Sequence, residues 1–224
     1  MSNSYARFPA LLALVEAVDD PYGRVDTFDR DYAVQADHWG YSTNPTTAER
    51  IQRVLNLLDS ARAGRRFGRV LEIACAEGVF TELLASRCDS ILAVDFSEIA
   101  LERARARRDW EGRVTFSPWN LRTDPIPGQF DLIVVMDVLS CLRSPARLHA
   151  AIDKIVAAMR PGDLVLACDY REDKDLRSLE TSRIGKWLLF GGKWVIETFV
   201  TDPALEVIAT DQMDTHFFAL LRKK

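Results

Sequence analysis

Val70-Leu71-Glu72-Ile73-Ala74-Cys75-Ala76-Glu77-Gly78-Val79-Phe80-Thr81 reads as an apolar strand, a turn of small residues and the start of a helix. Small side chains are needed where a backbone approaches a ligand closely, and free amides at a helix N-terminus can meet a carboxylate or phosphate. The small residues Ala74, Ala76 and Gly78 are spaced two and two, with Glu72 two places before the first. A dinucleotide fingerprint, G-x-G-x-x-G, is spaced two and three and would put its third glycine at Val79. The two alanines carry a conformational cost if their positions require positive φ.

Outward from this run, apolar segments alternate with helix-period segments, the rhythm of a parallel sheet with crossovers. Strands are expected at 69–73, 90–94, 114–117, 130–136 and 164–169, with helices at 79–87, 97–108 and 145–159 between them. Arg160-Pro161-Gly162-Asp163 breaks the last helix and turns into the fifth strand. Two β-type runs, Leu205 to Asp211 and His216 to Arg222, read as an antiparallel hairpin. The expected fold is α/β: a Rossmann-like, mostly parallel sheet of seven strands, closed by the hairpin and covered by helices on both faces.

Upstream, helical patterns run from Phe8 to Val18 and from Thr46 to Ala63, the second with Thr46 or Thr47 as its N-cap and a core-facing stripe at Ile51, Val54, Leu55, Leu57 and Leu58. Residues 1–67 are read as a helical lid and 68–224 as the main domain. An insertion at about 170–201, with Trp187, Phe190 and Trp194 around Gly191-Gly192, is read as a substrate cover.

The chain has 224 residues, about half of them apolar, and a formal net charge of −4. That balance argues against a broad nucleic-acid footprint, and Arg103, Arg105, Arg107 and Arg108 fit a solvated helix face. No apolar run approaches the roughly 20 residues of a membrane span, and the N-terminus lacks the pattern of a secretion signal, so a cytoplasmic location is expected. Cys75, Cys88, Cys141 and Cys168 are scattered singly, which fits free thiols and no metal site.

Twenty-three residues after Glu72, the second strand ends Ala93-Val94-Asp95-Phe96. A carboxylate there can accept hydrogen bonds from ribose hydroxyls, with Phe96 beside an adenine. Together with Trp119-Asn120-Leu121, the run Phe130 to Leu139 and the Pro-Gly turn, these segments resemble the ordered motifs of class I S-adenosylmethionine (AdoMet)-dependent methyltransferases. The two-and-two loop spacing favours AdoMet over NAD. Within that class the chain resembles the nodulation-factor type of amine N-methyltransferase and related small-molecule enzymes, through the Ala-containing first motif, Phe130 to Leu142 and Asp20-Pro21-Tyr22.

The resemblance implies AdoMet as cofactor, S-adenosylhomocysteine as product, and a small-molecule acceptor methylated on nitrogen or oxygen, a sugar or other metabolite. Cofactor contacts are expected at Glu72, Ala74, Cys75, Ala76, Gly78, Asp95, Phe96, Asn120, Leu121 and Met136. Asp137, at the end of the fourth strand, is the expected proton acceptor for the substrate, with His38 the other catalytic candidate beside Trp39 and Tyr41. Two other readings compete: a methyltransferase-like binding or regulatory protein without turnover, favoured by Ala74 and Ala76, and an NAD-dependent oxidoreductase.

Overall fold

A computed structural model describes residues 25–142, 144–170 and 192–224. The helix expected at Phe8 to Val18, the Asp20-Pro21-Tyr22 segment, Arg171, Trp187 and Phe190 lie outside the described residues.

The described elements are α1 (Val25–Val34), α2 (Pro45–Arg62), β1 (Phe67–Ile73), α3 (Val79–Ala85), β2 (Cys88–Asp95), α4 (Glu98–Ala106), β3 (Val114–Pro118) and β4 (Leu132–Met136). After a short 3-10 turn at Ser140–Leu142 come α5 (Pro145–Ala157), β5 (Leu164–Tyr170), α6 (Gly192–Val200), β6 (Leu205–Gln212) and β7 (His216–Lys223). They build a seven-stranded sheet of order β3-β2-β1-β4-β5-β7-β6. β1 to β5 pair in parallel, and β7 runs antiparallel between β5 and β6. This is the expected mixed sheet, hairpin included.

The inner strands are apolar throughout because both of their faces are covered. On one face Leu71, Ile73, Ile133 and Val135 pack with Leu148, Ile152 and Ile155 of α5 and with Val195 and Phe199 of α6. On the other, Val70, Leu132, Val134 and Met136 pack with Ile51, Val54, Leu55 and Leu58 of α2 and with Phe80 and Leu84 of α3. The stripe read along α2 is thus its buried side, except that Leu57 is only partly buried against that core. Its cap is Asn44, whose side chain accepts from Thr46 N, and not Thr46 or Thr47. Pro45 at the first helical position explains the shift, since its fixed φ starts a helix and a cap must precede it.

Strand order reverses between β1 and β4, which lie side by side while their following segments leave in different directions. In open α/β sheets ligands bind in the crevice outside the strand ends at such a switch point. Because α2 shares the core of the sheet, removing its most buried leucine is expected to destabilise the whole protein. Leu58→Ala should lower urea stability by about 2–5 kcal/mol; a loss below about 1 kcal/mol would show that α2 is not part of the cooperative core.

Candidate active site

The loop after β1 is built around three positive φ angles at alternate residues: Ala74 at 60°, Ala76 at 49° and Gly78 at 77°. The alanines therefore occupy the conformation that costs an L-residue about 1–2 kcal/mol. Asp95, at the end of β2, holds them there: its carboxylate accepts from Ala76 N at 3.0 Å and from Ser97 N at 3.0 Å. Cys75 N also donates to Val94 O. Burial pushes the Asp95 carboxyl up to about 6, against the lowering effect of the Ser97, Ala76 and Phe96 backbone bonds. Even with these bonds accepted, the two oxygens keep a lone pair for a further donor. Gly78 has another task, capping α3 where an added Cβ would lie 3.1 Å from Ala104 Cβ.

A cleft with an empty volume of about 1550 Å³, open mouth included, runs along the carboxyl ends of the strands. Its walls bring together Ala74, Ala76, Asp95, Phe96, Asn120, Leu121, Met136 and Asp137. A narrower pocket beside it is lined by His38, Glu72, Cys75 and Glu77, and shares Ala74, Ala76 and Met136 with the cleft. Gly78 lines neither. Asn120 Oδ1 already accepts from Arg122 N at 2.9 Å. Phe96 meets Phe28 of α1 edge to face, with ring centroids 5.0 Å apart, and Phe28 lies 6.1 Å from the Trp39 ring.

The end of the cleft nearest β4 and β7 centres on Asp137, itself at φ 54°. Its Oδ2 is ion-paired with Arg50 Nη1 of α2 and accepts from the Tyr41 hydroxyl at 3.2 Å. His216 Nε2 of β7 lies 3.2 Å from Asp137 Oδ1 and 2.6 Å from Arg50 Nη1. Burial alone would raise the Asp137 carboxyl, but the His216 hydrogen bond, the Arg50 charge and the Tyr41 hydroxyl outweigh it and hold it below the usual carboxylate range. Arg50 is itself only 5% exposed, and its guanidinium lies over the Tyr41 ring, 5.3 Å from the centroid.

Beneath this cluster Asp169 is fully buried, accepting from Ser140 N and Tyr170 N. Burial and the nearby Asp137 charge push it up to about 7. Tyr170, Ser140 and Cys141 line the cleft above it.

Arg50 is not singled out in the sequence, and His216 reads there only as a structural residue of a β-type run. Arg50 did leave a trace there, as a charge standing on the apolar stripe between Thr47, Ile51 and Val54, where unpaired charges are rarely buried. His216 left none. It meets Arg50 across 166 residues of sequence, through the position of β7 beside β5.

A model of the nodulation protein S (NodS) family matches residues 21–178, and the chain belongs to that family. It is 32% identical over 145 residues to nodulation protein S of Bradyrhizobium diazoefficiens, covering 65% of this chain and 68% of that protein. It is 29% identical over 117 residues to a ubiquinone biosynthesis O-methyltransferase of Pseudomonas aeruginosa, half of this chain and 47% of the relative. Among solved structures it is similar to the N-methyltransferase NodS from Bradyrhizobium japonicum WM9 in complex with S-adenosylhomocysteine. That likeness has a TM-score of 0.73 and 25% identity, and covers 92% of this chain and 99% of the other.

Glycine at the two strained loop positions removes the αL cost while adding unfolded-state entropy of roughly 0.5–1 kcal/mol per site. The double variant Ala74→Gly, Ala76→Gly is therefore expected to gain up to about 3 kcal/mol in urea unfolding; a loss would show that the alanine methyls contribute packing that outweighs their strain.

Burial also ties stability to pH. Glu72, Asp95 and Asp169 titrate at about 8, 6 and 7 in the folded protein, against about 4 in the unfolded chain. Folding then retains protons that the unfolded chain releases, so their stabilisation is full below pH ~4 and lost progressively as pH rises toward those folded values. Asp137 acts in the opposite sense, its contribution being present above pH ~4 and lost as pH falls through its depressed value. The urea midpoint is expected to be lower at pH 8 than at pH 5.5, and Asp169→Asn to shrink that difference. A midpoint that rises over this interval would contradict the assignment.

Proposed function

We propose that this protein transfers the methyl group of AdoMet to the amino nitrogen of a small metabolite of the sugar type, with the acceptor seated between Tyr41, Asp137, Ser140 and Tyr170. The observation that carries this reading is the single cleft joining the Asp95-braced loop to the Asp137 cluster. One end suits an adenosine and the other a second, polar molecule. The residues fit AdoMet. Asp95 keeps a free lone pair for the ribose, Phe96, Asn120 and Leu121 line the adenine end, and the buried Glu72 Oε2 has no hydrogen-bond partner within the protein. Bound there, AdoMet supplies an electrophilic methyl group on a sulfonium.

For displacement at that carbon, the protein's main contribution is to hold donor and acceptor in line, an effect worth several kcal/mol of barrier. Tyr41 lines both the narrow pocket and the cleft, so it stands where the two reactants meet. An amine must arrive with its lone pair free. Asp137, paired with Arg50 and held below the usual carboxylate range, is a poor proton acceptor near neutral pH, where the best base has a pKa close to the working pH. Its role in this reading is orientation: a fixed, ionised hydrogen-bond acceptor beside the nitrogen, with Arg50 cancelling the charge that would otherwise favour a protonated, unreactive ammonium. The proton leaves to water at the open mouth of the cleft.

Nitrogen is preferred over oxygen because the solved relative is an N-methyltransferase; the O-methyltransferase relative covers less of the chain. Among the described residues no helix is long and apolar enough to cross a membrane, and no cluster of side chains is arranged to hold a metal ion. The four cysteines form no disulfide with one another, which suits the reducing cytoplasm where we place the protein. Arg103, Arg105 and Arg107 are paired with Glu77, Glu98 and Glu82, so this helix offers little free charge to a nucleic acid.

Incubation with AdoMet labelled in its methyl group and matched pairs of amino sugars and N-acetyl sugars tests the reaction. Label is expected in the free amines alone. Label in the N-acetyl compounds would move the acceptor atom to oxygen, and transfer to neither class would remove the sugar-type acceptor. Asp137→Ala strands the buried Arg50 and is expected to cost about 3–5 kcal/mol of stability as well as turnover; a variant of unchanged stability and rate would remove the cluster from the account.

A further inference from the structure

Two residues that line the narrow pocket beside the cleft each carry a buried polar atom with no hydrogen-bond partner within the protein: His38 Nδ1 and Glu72 Oε2. Buried polar groups are almost always satisfied, so two orphans on residues of one pocket mark the place of a ligand group that carries both a donor and an acceptor. The other charged side chains lining that pocket are already engaged. Glu77 binds Arg103 at 2.6 Å and accepts from Asp37 N at 2.7 Å, and the Asp37 carboxylate accepts from Ser42 N and the Thr43 hydroxyl. Among the described lining residues His38 is the one side chain able to carry positive charge.

The amino-acid end of AdoMet is a zwitterion, with an ammonium that seeks Glu72 and a carboxylate that needs a donor of its own. We propose, resting on the AdoMet reading above, that His38 is a cofactor-binding residue that donates from Nδ1 to the methionyl carboxylate while Glu72 Oε2 takes the ammonium. The geometry is set in advance. The His38 ring stands edge-on to Trp39 at 4.6 Å and 83°, and the loop that carries it is tied to the first-motif loop by Asp37 N and Glu77. Burial has pushed the Glu72 carboxyl up to about 8, although Thr81 lowers it. An ammonium enclosed with it would favour its ionised form. His38 therefore belongs to the donor's tail, and the acceptor end of the cleft is left to Tyr41 and Asp137.

The test compares two probes by calorimetric titration: S-adenosylhomocysteine, and 5′-methylthioadenosine, which keeps the adenosine and sulfur but lacks the amino-acid end. His38→Ala is expected to weaken S-adenosylhomocysteine about tenfold or more, the scale of a hydrogen bond to a charged group, and to leave 5′-methylthioadenosine unchanged. His38→Asn, whose amide can donate near the Nδ1 position, is expected to recover part of the loss. Equal weakening of both probes would overturn the proposal by showing that His38 only packs the loop, and so would an unchanged affinity for S-adenosylhomocysteine in both variants. If the unsubstituted protein bound neither probe, the AdoMet reading would fail and this inference with it, an outcome separate from the other two.

Discussion

The hydrogen bonds from Ala76 N and Ser97 N to the Asp95 carboxylate are the constraint on which the rest of this site depends. They fasten the turn after β1 to the end of β2 and hold two alanines in a conformation normally left to glycine. At about 1–2 kcal/mol for each alanine, the strain is comparable to what such bonds return, bonds to a charged group being worth roughly 1.5–3 kcal/mol. The loop is therefore kept in place at little net gain, which is the usual condition of backbone shaped for a ligand. The same carboxylate keeps a lone pair, so in the proposed reading one side chain both builds the loop and binds the ribose.

A second buried device, the Arg50–Asp137 pair with Tyr41 and His216, closes the other end of the cleft. Buried ion pairs seldom add stability over apolar packing of the same volume, because desolvation consumes the Coulomb gain. Their value here is placement. α2, the loop before it, β4 and β7 each contribute one member, so the acceptor end is shaped by elements that the sheet topology alone brings together. In the reading proposed above, ribose and adenine lie by β2 and β3, the amino-acid tail in the acidic pocket under the loop, and the acceptor by β4, β5 and β7.

The parts of this arrangement that are local in sequence are legible in it. The two-and-two spacing of Ala74, Ala76 and Gly78, the acid ending the second strand and the alternation of strand and helix all reflect contacts within one βαβ unit. The cost foreseen for the alanines is present in the structure, since both have positive φ. What could not be read is non-local. Arg50 and Asp137 are 87 residues apart and Arg50 and His216 are 166 apart, and no period in the sequence registers a side chain against a partner so remote. Asp137 was therefore expected as a lone base, whereas the fold gives it a cation, a histidine and a tyrosine. The Asn44 cap was missed for a smaller reason, that Pro45 moves the helix start ahead of the threonines.

The central claim is that the Asp95-braced loop forms an AdoMet site and not a dinucleotide site. Titration of the unsubstituted protein with S-adenosylhomocysteine and, separately, with NAD tests it most directly. Saturable one-to-one binding of S-adenosylhomocysteine with no heat of binding from NAD is the predicted result; saturable binding of NAD with none of S-adenosylhomocysteine would contradict it.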